Sequence, residues 1–162
     1  MMRRVPFVLL ASAALFGLPA ITAAQGARES PLTRVEFALG GMTMAVSLPE
    51  TYSKRIRILG DRVTIDFGKN MRLQRLLIIS REALPAGGPL GPKRELASGA
   101  RLSYRLEDDT GGGSGGPIAE LNGVLEIGAV ELTVTCTDQS EWSRDPEWCL
   151  PTLDQLQLVK PP

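Results

Sequence analysis

The chain has 162 residues, is 43% hydrophobic and 22% charged, and carries eighteen basic and eighteen acidic side chains, two cysteines and no histidine. That balance belongs to a chain that folds rather than one that stays disordered. The missing histidine excludes Ser-His-Asp and Cys-His catalysis, and with two cysteines alone a structural zinc site cannot be assembled.

The chain begins with a targeting pattern. Met1-Met2-Arg3-Arg4 is a basic start, Val5 to Ile21 is an apolar run interrupted by Ser12, Pro6 and Pro19, and Thr22-Ala23-Ala24 is a small-residue cleavage region. This predicts a secretory signal peptide over residues 1–24, cleaved after Ala23 or Ala24. No Cys follows the run, so a lipid anchor is not expected, and no later stretch reaches the roughly 18 apolar residues of a span. Residues 25–162 are then expected to form one globular domain, in the periplasm or outside the cell. A chain of that size buries roughly two-thirds of its surface on folding.

The mature part reads as strands. Thr33 to Leu39 and Met42 to Leu48 alternate around Gly40-Gly41, a hairpin signal. Arg55 to Leu59 and Arg62 to Phe67 repeat the pattern around Gly60-Asp61. Leu73 to Ser80 is apolar enough for a strand or a helix end, and Ile78-Ile79 favour the strand. Ala83 to Lys93 is Pro- and Gly-rich loop. Arg101 to Glu107 alternates with Leu102, Tyr104 and Leu106 on one face. Ile118 to Ile127 and Val130 to Thr137 follow, joined at Gly128-Ala129, and Asn122-Gly123 is either a tight turn of its own or a bulge. Pro151 to Val159 reads as a short helix, with Leu150, Leu153 and Leu156 recurring every third residue. These elements predict an α+β fold: an antiparallel sheet of about six to eight strands with one or two packed helices. The alternative is an all-β sandwich.

Charge divides along the chain. Residues 25–105 hold fourteen Lys and Arg against seven Asp and Glu; residues 106–162 hold two against eleven. The halves either neutralise each other on folding or present faces of opposite sign to a partner. Nucleic acid is not an expected partner for an exported chain whose mature part is acidic overall.

Between the halves lies Leu106 to Pro117, "LEDDTGGGSGGP". It satisfies Gly-x-Ser-x-Gly, but a hydrolase elbow needs a following helix and a His, and neither is present. A phosphate loop lacks its Gly-Lys-Ser/Thr. Glu107, Asp108 and Asp109 are hard oxygen donors, yet they are clustered rather than spaced along a calcium loop. Too little chain follows for a second core, so the stretch reads as a hairpin tip. No metal or other cofactor is expected.

Cys136 and Cys149, thirteen apart, are expected to pair in an oxidising compartment. The loop they close contains Asp138, Glu141, Asp145, Glu147, Trp142 and Trp148. Acids and aromatics on a pinned loop have the composition of a binding surface; the alternative is that the tryptophans cover the sheet edge. The candidate binding residues are therefore Glu107, Asp108, Asp109, Asp138, Glu141, Trp142, Asp145, Glu147 and Trp148, facing a basic surface of a protein partner.

The Gly-Gly hairpin, "SLPETY" at Ser47 to Tyr52 and the strand "VTIDFG" resemble the PsbP-like fold of exported bacterial and plastid proteins. The exported location, small size, absence of a catalytic set and acidic, aromatic loop are together similar to periplasmic immunity proteins of type VI secretion systems. This resemblance implies a non-enzymatic protein that neutralises a toxin, some such toxins being calcium-dependent lipases or muramidases. It assigns no residue. An accessory subunit of a periplasmic or membrane-associated complex is the second expectation, and a carboxylate-based enzyme the third.

Overall fold

The computed structural model describes residues 31–69, 74–109, 117–140 and 144–161, with the backbone but not the side chain of Asp109. The signal-peptide expectation lies outside these residues. Ten strands and two single-turn helices follow in the order β1 (Leu32–Leu39), β2 (Met42–Pro49), α1 (Glu50–Ser53), β3 (Ile56–Leu59), β4 (Arg62–Asp66), β5 (Arg75–Ser80), β6 (Arg94–Glu95), β7 (Arg101–Asp109), β8 (Ile118–Ile127), β9 (Val130–Asp138), α2 (Leu150–Leu153) and β10 (Gln157–Lys160).

Period-two alternation builds the hairpins. Gly40 and Gly41 both adopt positive φ, 56° and 84°, as a tight two-residue turn between twisted strands requires. The register then runs unbroken from Leu39↔Met42 to Leu32↔Pro49. A large antiparallel sheet has the order β3-β4-β5-β9-β8-β7-β6, and a small one has the order β1-β2-β10. A single cluster of buried side chains draws on both: Phe37, Leu39, Met44 and Leu48 from the small sheet, Ile65, Leu77, Leu102, Leu121 and Val134 from the large one. Each large aliphatic side chain fully buried there contributes about 1.5–3 kcal/mol relative to exposure.

The fold is thus predominantly antiparallel β. Seven strands with two short helices agree loosely with the α+β expectation, and the second sheet sharing the core gives it the character of the all-β alternative. Two local expectations are corrected. The helix expected over 151–159 stops after Leu153. Gln157 to Lys160 instead pairs with β2, because Leu156 and Leu158 turn toward the core in a strand's two-residue period. Asn122-Gly123 is neither turn nor bulge: β8 pairs without a register shift to β7 and β9 on its two sides.

Gly123 instead marks a close approach. A Cβ there would lie 2.8 Å from the Ser103 carbonyl oxygen and 2.9 Å from the Tyr104 Cβ across the ladder. Gly123→Ala is therefore expected to destabilise the fold by about 1–3 kcal/mol through overpacking. Urea unfolding reads this as a lower midpoint, and an unchanged midpoint would contradict the close packing.

Candidate functional site at the acidic end of the large sheet

The hairpin reading of "LEDDTGGGSGGP" follows from register. Asp109 pairs with Ile118, so both flanks belong to neighbouring strands of one sheet and the stretch is not a linker between domains. Residues 110–116 lie outside the described residues. Cys136 and Cys149 form the expected disulfide, with their Cα atoms 6.2 Å apart. Cys136 is the third-last residue of β9, and Cys149 directly precedes α2, so the bond fastens the returning chain to the middle of the sheet.

The acidic candidates separate into anchors and surface. Asp138 is wholly buried. Its Oδ2 accepts from Arg75 Nε at 3.0 Å and from the Asp145 backbone N–H at 3.0 Å. Its Oδ1 accepts from the Ser140 N–H at 2.8 Å and from the Ser140 hydroxyl. Burial pushes the Asp138 carboxyl upward, but the donors from Ser140, Asp145 and Arg75 outweigh it and hold the group below the usual carboxylate range. Trp148 is a second anchor. Its indole N–H donates to the Thr137 carbonyl at 3.1 Å, and its ring meets Phe67 edge-on at 5.0 Å, with Tyr52 beyond. The Arg75 guanidinium lies over the ring at 5.6 Å. Glu147, half-buried, accepts from the Tyr104 hydroxyl; that carboxylate, with burial, holds the phenol above its ordinary pKa. The disulfide segment therefore spans the sheet from β4 and β5 to β7.

The remaining candidates lie at the surface. Asp108 and Asp145 are exposed. Glu107 is ordered by its neighbours: Arg105 Nε donates to Oε1 at 2.7 Å, and Asn122 Nδ2 donates to Oε2 at 2.8 Å. Arg105 is the chief reason that Glu107 stays below the ordinary carboxylate pKa. Glu141, Trp142 and the Asp109 side chain lie outside the described residues.

The hairpin and the disulfide segment meet. A cleft of about 270 Å³ is lined by Leu106, Glu107, Asp108 and Ala119 on one side and by Arg144 and Pro146 on the other. Leu106 is 52% exposed there, although its strand mates Leu102 and Tyr104 turn into the core from the same face. It lies one step beyond the covered part of the sheet. Sequence reading missed three contributors: Leu106, whose alternation pointed inward, and Glu120 and Asn122, hidden inside a strand. Asn122 is buried, donates to both Glu107 and Glu120, and accepts from Thr135. The directly opposed Glu107 and Glu120, a repulsive cross-strand pair by themselves, are thereby held together. Among the described residues, no group of three or more acids or cysteines has the arrangement of a metal site.

Residues 45–157 match the model of the type six secretion immunity 3 domain, Tsi3, a span running from within β2 to the first residue of β10. The chain belongs to this family of immunity proteins, which bind a cognate toxin. The match supports the immunity-protein resemblance and leaves the PsbP-like one unsupported. No curated protein matches the chain. Among the described residues no helix is long and apolar enough to cross a membrane.

The buried carboxylate yields a pH prediction. Its folded pKa is depressed, so the native state binds fewer protons than the unfolded chain near the ordinary Asp value. The stability it contributes is present above that value, about 3.9, and is lost as the pH falls below it. Asp138→Asn is expected to cost about 3 kcal/mol at neutral pH, because buried donors lose their charged acceptor. Chemical denaturation should show the gap from wild type closing in acid; a gap independent of pH would contradict the assignment. Cys136→Ser combined with Cys149→Ser is expected to cost about 3 kcal/mol, read as a lower thermal midpoint that reductant does not lower further.

Proposed function

We propose that this protein is an exported, periplasmic immunity protein that neutralises a cognate toxin by seating the acidic end of its large sheet on a basic toxin surface. Family membership supports the role. The choice of surface rests on one observation: Glu107 and Asp108 share a cleft with Arg144 and Pro146 of the anchored disulfide segment, around the exposed side chain of Leu106. An apolar centre ringed by charge is the anatomy of a protein interface. Asp145, exposed, belongs to the same segment, and Asp109, Glu141 and Trp142 are further proposed contacts. Asp138, Glu147 and Trp148 act beneath it, holding the segment in shape through their contacts with Arg75, Tyr104 and Phe67. A preformed loop loses little conformational freedom on docking, which favours tight binding.

The test is calorimetric titration of the protein with its cognate toxin. Leu106→Asp, Asp108→Lys and Trp142→Ala are each expected to weaken binding at least tenfold, about 1.4 kcal/mol or more, with unchanged thermal midpoints. Glu131→Lys, exposed at the opposite end of β9, should leave affinity unaltered. Wild-type affinity in all three variants would overturn the choice of surface.

A further inference from the structure

At the opposite, basic side of the large sheet lies a groove of about 740 Å³, within the usual range of ligand sites. Leu32, Pro49 and Tyr52 supply apolar surface, and Arg55 and Lys69 supply charge. Leu32 is 61% exposed, a large apolar side chain at the groove with most of its surface uncovered. Arg55 donates to the Gly68 carbonyl, a neutral acceptor. Among the described residues, no carboxylate pairs with Arg55 or Lys69. Asp66, whose backbone N–H donates to the Arg55 carbonyl at 3.2 Å, lines the adjoining cavity of about 520 Å³, and its Oδ1 is engaged by the Gly68 N–H at 2.7 Å. Arg55, Gly68 and Lys69 line both cavities, so the groove continues past the two cations.

We infer that this groove is a second binding site, which takes the carboxyl-terminal residue of a partner polypeptide. Two cations beside an apolar floor ask for a ligand with a carboxylate and an apolar side chain on one carbon. A chain end has both. An internal Asp or Glu has the charge without the apolar body, and an internal Leu or Phe has the body without the charge. The adjoining cavity has room for the residues that precede the end. The toxin-binding reading rests on other residues, so the two fail independently.

The probe is acetyl-phenylalanine, compared with its uncharged amide and with acetate, titrated into the isotopically labelled protein by NMR. The free acid should shift the amide signals of Tyr52, Arg55 and Lys69 and bind at least tenfold more tightly than either control. Arg55→Gln combined with Lys69→Gln should abolish the preference for acid over amide. Lys69→Gln alone, at an exposed side chain without an ion pair among the described residues, should already reduce it. Equal binding of acid and amide, shifts confined to other residues, no binding, or a preference that survives in the double variant would each overturn the site.

Discussion

A buried carboxylate organises the acidic end of the large sheet. Asp138 ends β9, and its two oxygens draw in Arg75 at the start of β5, the turn at Ser140 and the backbone at Asp145. An unpaired charge at that depth would be prohibitive; with donors on both oxygens it becomes a rigid junction. The disulfide begins two residues earlier, so the same stretch of β9 is tied to the returning chain covalently and to β5 by charge. Trp148 closes the arrangement by meeting Phe67 edge-on beneath the Arg75 guanidinium. The acidic cleft has a definite shape because its floor is fixed at these points.

The charge division of the sequence acquires a spatial meaning. Strand order sends β3, β4 and β5 to one side of the large sheet and β9, β8 and β7 to the other. Where the halves meet, they neutralise one another: Arg75 pairs with Asp138, Arg105 with Glu107, and Lys93 and Arg101 with Glu126. Away from the junction the signs stay apart, with Arg55 and Lys69 on one flank and Asp108 and Asp145 on the other. Both readings of the asymmetry therefore hold in part, in different places.

Much of the sheet was legible because alternation and glycine turns are local signals. The pairs around Gly40-Gly41, Gly60-Asp61 and Gly128-Ala129 needed no tertiary information. The tail was misread because Leu150, Leu153 and Leu156 fit a helical period as well as a turn followed by a strand. The open edge of β2 decides between them, and it is more than a hundred residues away. Asn122-Gly123 looked like a turn because the pair favours one; its neighbours on β7 and β9 make it a packing site. Composition named the acids of the candidate site but did not separate Asp138, which is enclosed, from Asp108, which is exposed. That distinction depends on where Arg75 and Ser140 come to lie. Leu106 was assigned to the right face, and what stayed hidden was the point at which that face runs out of cover.

The pairing of β10 with β2 sets an order of events. The hairpin of β1 and β2 is contiguous in the chain, but an isolated two-stranded ribbon is marginal in water. Its third strand begins at Gln157, opposite Ala45, so closing the small sheet means bringing together positions separated by almost the whole described chain. Such long-range closure is slow compared with the formation of local hairpins. The small sheet thus begins from a local hairpin but is completed only when nearly all of the described chain is available to seal this side of the core.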